Sequence, residues 1–158
     1  MKRLAVSLGI LLCLLAATAQ ATGQPPLRQM DQRRLEAFLS EPVPARMVFF
    51  MAAWCAPCRQ ELPALQSLWL KYEGRGLDLA GVSLDMDPGA MRELLKQVGG
   101  VGFPVYWAGE EPIMRYGLSG IPLLLIFQNG REVERIAGAK TEEELEALIL
   151  RVLKQAGR

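Results

Sequence analysis

Apolar residues recur in two rhythms here, and the switches between them mark out the elements. Arg46-Met47-Val48-Phe49-Phe50-Met51 is an almost unbroken apolar run, of strand length and too short for a buried helix. Between Cys58 and Tyr72 the spacing changes: Leu62, Leu65, Leu68 and Trp69 fall three and four apart, one face of a helix. Pro63 lies inside that helix and is expected to bend it; Gly74 and Gly76 end it. Leu77 to Leu84 reads as a second strand. Asp87-Pro88 then supplies an N-cap and a proline at the first helical position, opening a helix with Met91, Leu94, Leu95 and Val98 inward and Gly99-Gly100 at its end.

Phe103 to Trp107 reads as a third strand whose start Pro104 confines to a sheet edge, and Glu110 to Gly117 as a turn or short helix. Leu123 to Phe127 and Glu132 to Ile136 flank Asn129-Gly130, a hairpin signal. Thr141 with Glu144 forms a capping box ahead of Leu145, Leu148, Ile149 and Val152. Near the start, Gln24-Pro25-Pro26 reads as a linker and Asp31 as the cap of a short helix carrying Leu35, Phe38 and Leu39, ended by Pro42 and Pro44. That helix is expected to cover one edge of the sheet. Strands alternating with helices and then a hairpin predict an α/β sandwich, a mixed sheet with helices on both faces.

Composition changes this picture mainly at the N-terminus. Lys2 and Arg3, an apolar run from Leu4 to Ala17, and the small residues of Ala17-Thr18-Ala19 and Ala19-Gln20-Ala21 read as a secretory signal over residues 1–21. The rival reading, an uncleaved anchor, needs about 20 apolar residues, and the run is shorter. Cys13 would leave with the signal. The remaining chain, about 137 residues, carries 16 basic against 17 acidic residues. No nucleic-acid or membrane-surface partner is implied by that balance. Residues 22–44 are taken as linker and short helix, and 45–158 as one domain.

The candidate chemistry is Trp54-Cys55-Ala56-Pro57-Cys58, where strand gives way to helix. At a helix N-terminus the Cys55 sulfur meets unpaired N–H groups and the positive end of the dipole, which stabilises a thiolate. Thiolate is the attacking species in disulfide exchange, and Cys58, one turn on, is placed to resolve the mixed disulfide. Half of a zinc site is the alternative, but the chain has no His and its one other cysteine is Cys13. In an oxidising compartment such a pair becomes a passive disulfide unless an outside donor keeps it reduced.

Trp54-Cys55-Ala56-Pro57-Cys58 followed by Arg59-Gln60-Glu61-Leu62-Pro63 resembles the exported thioredoxin-like oxidoreductases of the TlpA, ResA and CcmG type. Tyr116-Gly117-Leu118-Ser119-Gly120-Ile121-Pro122, with Leu123 to Phe127 and Asn129-Gly130, resembles thioredoxin itself. The resemblance covers about residues 45–155 and implies a thioredoxin-like three-layer sandwich, in which residues 88–107 form an added helix and strand. It implies that Pro122 is a cis-proline facing the cysteines and leaving the backbone of Ile121 free for an extended substrate. It also implies that Glu61 tunes cysteine acidity and relays protons, and that Gly138 lets substrate approach the groove. Trp54 is expected to shield the disulfide and line that groove.

The chain departs from thioredoxin at Phe49, which stands where thioredoxin keeps a buried Asp, and this shifts weight onto Glu61. Ile121 before the proline is thioredoxin-like, whereas the TlpA group often has Thr there. The expected function is an exported, periplasmic thiol-disulfide oxidoreductase acting mainly as a reductant through Cys55 and Cys58, with no cofactor beyond that pair. Its implied partners are disulfide-bearing exported clients, apocytochrome c or copper-site assembly proteins among them, and a membrane electron donor of the DsbD or CcdA type. The alternatives are the same fold run as an oxidant and a redox-inert module that binds a client or a metal.

Overall fold

The computed structural model describes residues 26–157. The signal-peptide reading of residues 1–21 lies outside them. No helix among the described residues is long and apolar enough to cross a membrane.

The elements are β1 (Arg28–Gln29), α1 (Gln32–Ser40), β2 (Arg46–Met51), α2 (Ala56–Tyr72), β3 (Leu79–Ser83), α3 (Pro88–Gln97), β4 (Val105–Trp107), α4 (Glu111–Arg115), β5 (Leu123–Gln128), β6 (Arg131–Ala137) and α5 (Glu142–Gln155). They build one six-stranded sheet in the order β1-β4-β3-β2-β5-β6. The first four strands of that order run parallel, β5 is antiparallel to β2, and β6 is antiparallel to β5. β2, central and buried along its whole length, carries no alternation because both its faces are covered.

Side chains of successive strand residues point to opposite faces, so the core divides in two. Met47, Phe49 and Met51 of β2 join Leu124 and Ile126 of β5 against α2, α3 and α5. Val48 and Phe50 join Leu123, Leu125 and Phe127 against Leu35 and Leu39 of α1, with Ile113 of α4 at the margin. This is the expected three-layer α/β sandwich with helices on both faces.

Two expectations change in detail. α1 covers a face of the sheet rather than an edge, because Leu35 and Leu39 have Val48, Phe50 and Val82 to pack on. The stretch before it adds a strand that the sequence reading left in the linker: β1 pairs with Tyr106 and Trp107 of β4. Both elements therefore continue the domain placed at 45–158 rather than precede it. As the spacing predicts, α2 carries Pro63 inside it and ends at Tyr72, ahead of Gly74 and Gly76. Pro104 stands just before β4, ahead of the residues that β1 covers.

Candidate active site

The site begins where β2 runs out. Cys55 N–H donates to the Ala52 carbonyl at 3.1 Å, closing a turn with Ala53 and Trp54 at its centre. Cys55 is the N-cap of α2, and its Sγ accepts from the Cys58 N–H at 3.2 Å. A sulfur thus sits where a capping oxygen usually does, on the orphan donors of a helix start. The first turn of α2 contains no acidic residue to oppose negative charge there. Cys55 and Cys58 are joined by a disulfide of 2.06 Å. Cys58 is sealed in the core, and Cys55 is 4% exposed.

What remains open lies beside Cys55. Trp54 is 64% exposed, although an aromatic of that size is ordinarily well covered in a monomer. With Leu84, Ile113, Leu118, Ser119, Gly120 and Ile121 it lines a groove of about 370 Å³. Ile121-Pro122 is a cis peptide bond, and Ile121 also packs against the core cluster that holds both cysteines. Gly138 N–H donates to the Pro122 carbonyl at 2.9 Å, so the start of β5 is held from the far end of β6. The structure thereby brings Trp54, Cys55, Ile121, Pro122 and Gly138 to one end of the sheet.

Glu61, three residues beyond Cys58 on α2, is 3% exposed, and neither carboxylate oxygen has a hydrogen-bond partner. Burial pushes its carboxyl up to about 7 from 4.5, a shift that an exposed helical glutamate, kept in water, does not undergo. The Lys140 backbone N–H and ammonium pull the other way, outside hydrogen-bonding geometry, and Glu144 adds a small push upward. Phe49, in the place of the acid that thioredoxin keeps, is wholly within the core.

One residue escaped the sequence reading. Asp85, just past β3, is 1% exposed and accepts from the Ala53 N–H with both oxygens at 3.0 Å and from Ser83 Oγ at 2.8 Å. Its signal was the polar pair Ser83 and Asp85 closing an otherwise apolar strand.

Residues 24–148 match the AhpC/TSA family. ResA, a thiol-disulfide oxidoreductase of Bacillus thuringiensis strain Al Hakam, is 32% identical over 105 residues, 65% of this chain and 60% of that protein. The chain thus spans about three fifths of the ResA proteins it matches. Thioredoxin of Chlamydia caviae is 30% identical over 103 residues, 65% of this chain and 78% of the thioredoxin. A solved structure from Chlorobium tepidum, described as a candidate DsbE thiol:disulfide interchange protein, is 28% identical at a TM-score of 0.64, over 75% of this chain and 84% of that one.

Proposed function

The chain belongs to the AhpC/TSA family of thioredoxin-like proteins, and on that premise we propose that it is an exported thiol-disulfide oxidoreductase working mainly as a reductant. The observation that carries the proposal is Cys55 capping α2 in a disulfide with Cys58, beside the groove between Trp54 and Ile121. The likeness to ResA and to the DsbE-type structure supports the same reaction class.

In the reduced protein the Cys55 thiolate attacks one sulfur of a client disulfide, forming a mixed disulfide and releasing the other client sulfur, which takes a proton from solvent. The client chain lies along Trp54 and pairs with the backbone of Ile121. Cys58 then attacks the Cys55 sulfur, its thiol proton passing to Glu61, and the second client thiolate departs. Two electrons have moved from the Cys55–Cys58 dithiol to the client. A carboxyl poised near 7 takes that proton and later returns it at comparable ease. A membrane electron donor with a dithiol of its own restores the reduced pair, and apocytochrome c thiols are the client class the family suggests.

A Cys58→Ser variant produced in an exporting cell tests this directly, because its mixed disulfides cannot be resolved. Capture of cytochrome apoproteins on Cys55 is the expected result; capture of many unrelated exported proteins makes it a general reductase, and no capture at all sinks the reading. A reduction potential near thioredoxin's, about −270 mV, fits the reductant, whereas one near about −120 mV makes the protein an oxidant.

A further inference from the structure

The contacts of Asp85 are directed at one peptide in the redox turn. Its two oxygens take the Ala53 N–H at 3.0 Å. On the other side of Ala53, its carbonyl accepts from Arg59 Nη1 at 3.3 Å. Trp107 Nε1 donates to the Asp85 carbonyl at 2.6 Å, so the backbone of Asp85 is itself tied to β4. Among the described residues no cation pairs with this carboxylate, and Ser83 Oγ is its remaining donor.

A tie between β2 and β3 does not explain the arrangement. Those strands are already laddered as far as Met51 and Ser83, and Leu84 N–H continues the pairing to the Met51 carbonyl at 2.9 Å. Beyond that ladder the chain must turn through Ala53 and Trp54 to deliver Cys55 to the helix start. A buried carboxyl is costly unless its oxygens are hydrogen-bonded, and here both of them accept from the same N–H in that turn. We infer that Asp85 is a positioning residue for disulfide exchange: with Arg59 it clamps Ala53 by its N–H on one side and its carbonyl on the other, and the clamped turn aims Trp54 into the groove and Cys55 at the client. This inference rests on the oxidoreductase reading above.

The test follows the rate at which the reduced protein reduces a disulfide-bonded peptide, as a function of pH. On the high-pH plateau all Cys55 is thiolate, so changes in its acidity drop out and the plateau reports placement. Asp85→Ala is expected to lower the plateau about tenfold, since small misplacements of reacting atoms are expensive. Asp85→Asn, whose amide oxygen still accepts from Ala53 and whose NH₂ can donate to Ser83, is expected to restore it to within about twofold, a rescue that depends on the acceptor. Should Asp85→Ala fail to fold, the exposed Arg59→Met opens the other end of the clamp and is expected to lower the plateau in the same direction. An unchanged plateau in Asp85→Ala, an Asn variant no better than Ala, or, where Ala does not fold, an unchanged Arg59→Met overturns the inference. A wild-type protein that reduces no peptide at all would instead sink the oxidoreductase reading, and the clamp with it.

Discussion

Gly138 and Pro122 are joined by a hydrogen bond of 2.9 Å from the glycine N–H to the proline carbonyl, and Gly138 holds it with φ at +77°. A Cβ at Gly138 would meet nothing within 4 Å. The positive φ is therefore the obstacle to a Cβ there, and the space immediately around that position is open. Gly138→Ala and Gly138→Leu are expected to lose similar stability, about 1–2 kcal/mol from the left-handed backbone, read from urea melts. Only the Leu variant should slow reduction of a protein disulfide, and it should leave reduction of a small disulfide near normal. Equal rates on the protein substrate for both variants would place the client elsewhere.

Glu61 makes stability depend on pH in the direction opposite to a salt-bridged carboxylate. The folded state holds its proton up to about pH 7, while the unfolded chain releases it near 4.5. Within that window the folded protein binds more protons, so stability falls as pH rises, by about 3 kcal/mol in all. Below the window this contribution is constant, and above it the full cost is present. Glu61→Gln should flatten the dependence, measured by denaturant melts of the oxidised protein at several pH values between 4 and 8. The same variant should slow release of the mixed disulfide by about 10²-fold, the usual worth of a placed proton acceptor.

Asn129 and Gly130 both have positive φ, 48° and 75°, as a two-residue hairpin turn of this hand requires. Gly130 carries a second constraint from outside the hairpin: a Cβ there would lie 2.1 Å from the Ser40 carbonyl oxygen at the end of α1. Gly130→Ala should therefore cost more than the turn alone explains, about 2 kcal/mol or more. Gly157→Ala, with φ at +74° and no neighbour within 4 Å of a Cβ, is the control for backbone strain. Thermal melts of the two variants that coincided would show that α1 does not press on the turn.

Arg46, buried at the start of β2, bonds Asp78 at 3.0 Å and Glu41 at 2.8 Å, donates to the Phe38 carbonyl, and lies over the Phe38 ring. It joins the end of α1 to the sheet. Arg46→Met keeps the bulk and removes the donors, leaving the Phe38 carbonyl unpartnered; a loss of about 1–3 kcal/mol is expected. Hydrogen exchange should show α1 opening before β2 in the variant.

Much of this was legible in the residues because it is local. The strand of Met47 to Met51, the capping box of Thr141 and Glu144, and the Asn129-Gly130 turn are each set by neighbours a few positions away, and a linear reading sees such neighbours. The two cysteines at a helix start belong to the same class, since spacing alone puts Cys58 one turn past Cys55. β1 was missed because two exposed residues have no periodicity; only the free edge of β4 makes them a strand.

By itself, then, the order of amino acids determined the layered α/β architecture and the pairing of Cys55 with Cys58 at a helix start, through periodicity, caps and spacing. Packing of distant segments decided the rest. Glu61 stands near neutrality because Leu62 and Leu65 carry its helix face into the core and no partner meets its oxygens. Asp85 reaches Ala53 because β2 and β3 lie side by side, bringing together residues 32 positions apart. Desolvation and long-range hydrogen bonds depend on what the fold places around a group, and no window along the chain contains that neighbourhood.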